Sequence, residues 1–168
     1  MVKRWTLTNN LYEEHTIIRQ ANVSEFDVIY ALGFDVWGEG LSFPDYLSLC
    51  RSSQKYQRGT WYVLTQDEQI VAAAIIYGCG HFGLGVGCYG LGSLATSHLH
   101  RRQGYGAALT KAIGKMLLER PETKAIYLHS DIDRQFYQKL GYRRIGDSQC
   151  LYLAKEQQSM PDTIPDYF

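Results

Sequence analysis

Between residues 91 and 129 the chain writes out a strand, a basic glycine-containing loop, a helix and a second strand, and this order constrains the fold more than any other feature. The strand-like run Leu91-Gly92-Ser93-Leu94-Ala95-Thr96 enters the loop Ser97-His98-Leu99-His100-Arg101-Arg102-Gln103-Gly104-Tyr105-Gly106. From Ala107 the apolar positions Ala108, Leu109, Ala112, Ile113, Met116 and Leu117 repeat at helical spacing, with Lys111 and Lys115 on the outer face. Pro121 stops the helix, and Ala125-Ile126-Tyr127-Leu128-His129 reads as the next strand. The first amides of a helix lack intrahelical acceptors, and the peptide dipoles place partial positive charge on them, so an anion fits there. Gly104 and Gly106 have no Cβ to hold a phosphate away, and Arg101 and Arg102 add charged donors. The loop therefore has the makings of a pyrophosphate cradle, against the plainer alternative of a basic loop that merely starts a helix.

Elsewhere the alternation of elements predicts an α/β chain. Thr16-Ile17-Ile18-Arg19 is a β-branched run ending at Ala21-Asn22, and Ser24 or Asn22 caps a helix expected over about 24–34. Asp35 to Pro44 mixes glycine and proline with Trp37 and Phe43 and reads as a shaped loop, after which Pro44 opens a helix to about Arg51. Residues 59–65 and 70–77 read as a hairpin turning at Gln66-Asp67-Glu68-Gln69. Asp131 or Asp133 caps a short helix through Gln138, Gly141 closes it, and 143–146 and 149–153 form a closing strand or pair. The polar stretch from 154 to 168, with Pro161 and Pro165, is expected to be a loosely held tail.

Two stretches, Gly78-Cys79-Gly80-His81-Phe82-Gly83 and Gly85-Val86-Gly87-Cys88-Tyr89-Gly90, match the spacing of a dinucleotide fingerprint. That spacing has meaning only when its last glycine opens a helix, and neither copy does, so residues 78–90 are read as a flexible connection.

The 168 residues fit one domain, 1–168, and 45% apolar content suffices for a core. Net charge is zero at a pI near 6.9, which leaves no global field to gather nucleic acid or an anionic membrane. Cys50, Cys79, Cys88 and Cys150 show no paired metal-ligand spacing, so no metal is expected. The start lacks an apolar core behind its basic residues, and no run approaches the ~20 apolar residues of a membrane span. A cytoplasmic location is expected.

Arg101-Arg102-Gln103-Gly104-Tyr105-Gly106 resembles the Arg/Gln-x-x-Gly-x-Gly/Ala motif of the GNAT superfamily of N-acetyltransferases. Phe136-Tyr137-Gln138-Lys139-Leu140-Gly141-Tyr142 resembles that family's "FYEKLGF" segment, about thirty residues further on. The resemblance covers 60–153 well and 16–50 only in element order. It implies a central mixed, twisted sheet flanked by helices, with acetyl-CoA as co-substrate. It also implies that Leu94, Ala95 and Thr96 meet the pantetheine arm, and that Arg101, Arg102, Gln103, Gly104, Tyr105, Gly106 and Ala107 hold the pyrophosphate. The chain departs from the pattern at Ser130-Asp131-Ile132, where asparagine often stands.

By the same resemblance Tyr137 would protonate the departing coenzyme A thiolate, the alternative being that it packs on the core with Phe136. The glutamate that some members place on the strand before the cradle is missing, since Tyr89 to Thr96 holds no acid and no histidine. His81, His129, Glu39 or Asp131 could serve through water as base, or the amine could lose its proton to solvent before attack. Cys79 and Cys88 raise a route through an acyl-cysteine, but neither has an activating neighbour in sequence, and direct transfer is favoured.

The expected activity is transfer of acetyl from acetyl-CoA to a primary amine of a small molecule, peptide or protein. Trp37, Glu39 and Phe43 are the expected acceptor contacts unless the aromatics belong to the core. Two other readings are an acyl-CoA sensor without turnover and a lysine-tail acetyltransferase, to which Glu13, Glu14, Asp35 and Glu39 would lend an acidic groove. No nucleic-acid or membrane partner is expected, and a homodimer fits the exposed strand edges.

Overall fold

Two β-rich runs separated by Asp67-Glu68 fold back on each other, as alternating β-branched and aromatic residues around a two-residue turn should. Asp67 and Glu68 both take positive φ (48° and 65°), the twist a tight hairpin requires. In the computed structural model, which describes residues 5–6, 16–130, 133–155 and 163–168, this hairpin belongs to the first of two units.

The first unit comprises residues 1–75 and 93–109. Its elements are β1 (Trp5–Thr6), β2 (Thr16–Gln20), α1 (Phe26–Ala31), α2 (Phe34–Trp37), α3 (Phe43–Ser52), α4 (Gln54–Gln57), β3 (Thr60–Gln66), and most of β4 (Gln69–Tyr77). It also holds the end of β5 (Cys88–Thr96) and the start of α5 (Tyr105–Leu118). β1, β2, β3, β4 and β5 follow one another in the sheet, with β2 antiparallel to both β1 and β3. Val71 to Ile75 are all buried, so β4 is covered on both faces. Tyr30, Tyr46, Trp61, Val63, Leu64 and Leu109 are among the other buried core residues of this unit.

The helix expected over 24–34 is broken. A 3-10 turn at Val23–Glu25 leads into α1, and after Leu32-Gly33 a separate one-turn helix, α2, occupies the start of the expected loop. The next helix forms as read, with Ser42 accepting the Asp45 amide and Pro44 in the first turn.

The second unit, residues 76–92 and 110–168, holds the start of β5, the rest of α5, β6 (Ala125–His129), α6 (Arg134–Lys139), β7 (Arg143–Arg144) and β8 (Cys150–Ala154). The order here is β5-β6-β8-β7. β5 runs parallel to β6 through Cys88↔Ala125 to Gly90↔Tyr127, whereas β8 is antiparallel to both β6 and β7, which makes the sheet mixed. Parallel neighbours need a crossover, and α5 supplies it. Ile113, Leu117, Ile126, Leu128 and Leu151 are among the buried apolar residues that form the core of this unit.

Two further expectations differ from the structure. Cys88, Tyr89 and Gly90 are strand rather than connection, because their main chain pairs with β6. Residues 163–168 are not a loose tail: Phe168 is buried against Tyr77 and Phe82, with ring centroids 5.5 and 5.7 Å away. The Asp166 amide donates to the Phe82 carbonyl at 2.9 Å. Gly90 makes this docking possible, since a Cβ there would lie 2.7 Å from the Phe168 ring. Among the described residues no helix is long and apolar enough to cross a membrane.

Candidate active site

The end of β5 and the loop after it lie in the first unit. β5 turns out of regular extension at Ser93, where φ is 46°, and Leu94, Ala95 and Thr96 beyond it are half-buried. The Ser97 amide donates to Val71 at 2.8 Å, a 3-10 turn spans His98–His100, and the loop enters α5 through Arg102 (φ 61°) and Gly104 (φ 89°). Only glycine adopts the latter angle without strain. The Gly104 carbonyl accepts the Ala108 amide at 2.9 Å, so α5 begins at Tyr105 rather than Ala107, directly on the expected motif.

The loop is open to solvent and could hold a pyrophosphate. Arg101, Arg102, Gln103 and Gly104 are exposed, and a Cβ at Gly104 would meet nothing within 4 Å. The Gln103 amide group donates to the Leu99 carbonyl at 3.1 Å, which fixes the loop from within. Arg101 is engaged with protein: its Nε donates to the Thr96 carbonyl at 3.1 Å and its Nη2 to Asp35 Oδ1 at 2.8 Å. Tyr105 is buried and Ala107 half-buried in the first turn of the helix.

Trp37 ends α2, Glu39 (φ 45°) follows it and Phe43 opens α3, all in the first unit. Trp37 is 38% and Phe43 41% exposed, so neither is a core residue. Phe34, one turn before Trp37, provides the packing instead, against Phe43 at 5.1 Å and Tyr46 at 5.3 Å.

Tyr137 is on α6 in the second unit, where Asp133 caps the helix by accepting the Phe136 amide at 2.9 Å. Its ring lies edge-on to Phe136 (4.9 Å) and to the buried Tyr142 (6.1 Å). The phenol pKa is pushed up to about 12, first by burial and then by the Asp133 carboxylate, so the group keeps its proton at neutral pH. Of the base candidates, His129 has Nε2 3.1 Å from the Asp166 carbonyl oxygen, and burial lowers its pKa. His81 is half-buried, Glu39 is exposed, and Asp131, like Glu13 and Glu14, lies outside the described residues. The cysteines are free, and the Tyr127 phenol beside Cys88, pushed up to about 12 mainly by burial, cannot act as its base. Among the described residues no cluster of ligands could hold a metal.

Residues 57–144 match the family model for the acetyltransferase (GNAT) domain. The chain belongs to the GNAT acetyltransferases. GNAT enzymes are acyltransferases that use acetyl-CoA, and the turned, open loop before α5 fits that co-substrate. Among solved structures, a GNAT family acetyltransferase from Brucella melitensis in complex with acetyl-CoA is 17% identical, with a TM-score of 0.66 over 92% of this chain and 96% of its own. A GNAT family N-acetyltransferase (YhbS) from Escherichia coli in complex with CoA is also 17% identical, with a TM-score of 0.64 over 88% and 84% of the two chains. The ribosomal-protein-S18-alanine N-acetyltransferase from Escherichia coli gives 17% identity and 0.59, covering 86% and 99%. At these identities the likeness shows the same α/β fold. No curated protein sequence gives a significant match.

The Asp35–Arg101 pairing and the burial of Phe168 were missed in the sequence. Asp35 and Arg101 are 66 positions apart and nothing local joins them. For Phe168 a signal existed, because Ile164, Tyr167 and Phe168 end an otherwise polar stretch.

Proposed function

We propose that this GNAT protein acetylates a primary amine by direct attack on acetyl-CoA, with the acceptor taken from a small molecule or from a peptide or protein. The observation that carries the reading is the backbone of the 101–106 loop, turned at Arg102 and Gly104 and open at Gly104 where α5 begins. Main-chain amides of Arg102, Gln103 and Gly104, with the Arg102 side chain and the α5 dipole, would hold the pyrophosphate. The main chain of Leu94 and Thr96 would hold the pantetheine amides. Arg101 would contribute through its backbone while its side chain stays on Asp35 and Thr96.

The amine nitrogen bonds to the acetyl carbon, and the carbon–sulfur bond breaks. Tyr137 gives its proton to the departing thiolate; the attacking nitrogen releases its own to solvent, from which Tyr137 is reprotonated. An ordinary phenol already holds its proton at neutral pH; burial, which raises the Tyr137 pKa to about 12, makes the group a weaker donor, so the role rests on a thiolate formed beside it being basic enough to take the proton. The wet, exposed surroundings of Trp37, Glu39 and Phe43 suit a polar acceptor, and a water-exposed amine needs no dedicated base.

The test is calorimetric titration with acetyl-CoA, CoA and NADH, followed by a thiol-release screen over amines on the same sample. Acetyl-CoA is expected to bind in the micromolar range and NADH not at all, and at least one amine should accelerate thiol release. Binding without release to any amine would make the protein a sensor. For the best amine, Tyr137→Phe should lower kcat by about tenfold or more, the low end of what a lost general acid costs, while leaving acetyl-CoA affinity in place. An unchanged kcat removes the acid role.

A further inference from the structure

The first unit contains an ion pair whose geometry exceeds its worth as a stabiliser. Arg101 Nη2 donates to Asp35 Oδ1 at 2.8 Å, Nη1 lies 2.7 Å from Asp35 Oδ2, and Nε donates to the Thr96 carbonyl at 3.1 Å. All three guanidinium nitrogens are committed, two of them in the parallel fork that arginine makes with a carboxylate. The side chains are 39% and 47% exposed, however, and a pair so exposed contributes little to folding. Its effect is one of placement.

The pair joins the ends of two functional segments. Arg101 is the first residue of the proposed cofactor loop, and Thr96 is the last residue of β5. Asp35 is on α2, a single helical turn of four residues, which is too short to hold itself in water. α2 carries Trp37 and leads into the positive-φ turn at Glu39 and Gly40. Its apolar anchor is Phe34, against Phe43 and Tyr46. Its polar anchor is Asp35. Arg101 and His98, both from the cofactor-loop side, face the carboxylate and hold its pKa down, the hydrogen bonds from Arg101 first.

We propose that Asp35 is a positioning residue through which the cofactor loop sets the α2 segment that carries Trp37 and Glu39. The inference rests on the proposed use of the 101–106 loop for acetyl-CoA. A pyrophosphate fastened to that loop fixes the Arg101 main chain, Arg101 fixes Asp35, and the 34–41 segment loses its freedom to fray. Coupling of this kind makes a filled loop favour acceptor binding, because the segment offered to the acceptor frays less when the loop is held.

The experiment is amide hydrogen exchange on the full chain with and without saturating acetyl-CoA, read separately at 34–41 and at 102–108, in wild type, Asp35→Asn and Asp35→Glu. In the wild type both segments should slow, 34–41 by about fivefold or more. Asp35→Asn should keep the slowing at 102–108 and lose it at 34–41, and Asp35→Glu, which restores the carboxylate, should recover a part of it. Equal slowing of 34–41 in wild type and Asp35→Asn overturns the inference, as does slowing of the loop alone in the wild type. Slowing at neither segment, with no heat of binding, overturns the cofactor assignment and the inference with it.

Discussion

Gly104→Asp is expected to weaken acetyl-CoA binding by about 2–3 kcal/mol, or roughly 30- to 150-fold, because it sets a carboxylate against the pyrophosphate where partly screened charges a few ångströms apart repel by that much. Gly104→Ala separates charge from conformation. With φ at 89° any side chain is strained there, so both variants should lose about 1–2 kcal/mol of stability. A Cβ meets nothing within 4 Å, which means that alanine adds no steric block. Alanine should therefore lose much less affinity than aspartate in a calorimetric titration. If the two lose the same amount, no phosphate sits at this turn.

The second large effect is on stability, at Phe168. Phe168 is 5% exposed, its ring packed on Tyr77, Phe82 and His129. Phe168→Ala should cost about 3 kcal/mol, the low end for a buried phenylalanine because the segment can detach by itself. In a chain of this size that lowers Tm by about 6–12 °C, measurable by calorimetry or circular dichroism. Gly90→Ala should also destabilise, since its Cβ would come within 2.7 Å of the Phe168 ring. With alanine at 168 that clash disappears, so the double variant should lose clearly less than the sum of the singles. An additive pair would mean that Phe168 is seated elsewhere in solution.

What could be read from the sequence divides along the range of the interactions that decide it. The loop and α5 were legible because glycine spacing, helix-start charge and 3.6-residue periodicity all act within a few residues; only the first helical residue, Tyr105, came earlier than the apolar pattern indicated. The β3–β4 hairpin and the Asp133-capped helix were legible for the same reason. The break between α1 and α2 was not. Gly33 and Gly38 weaken the far end of the apolar pattern but do not place a break, and the separate helical turn depends on Phe34 finding Phe43 and Tyr46. Gly90 looked like one more glycine of a flexible connection, because its reason is a ring 78 positions away. Asp35 looked like part of an acidic scatter until its partner, 66 positions on, came beside it.

The unequal burial of the tryptophans gives the chain a built-in optical probe. Trp61 is 4% exposed, inside a cluster with Tyr30 and Tyr56, whereas Trp37 on α2 is 38% exposed. In a Trp5→Phe background, emission consists of one sealed indole and one that water and quenchers reach. Acrylamide then reads α2 almost alone, and candidate amines can be ranked by the shielding they give Trp37, with no label attached and no turnover required.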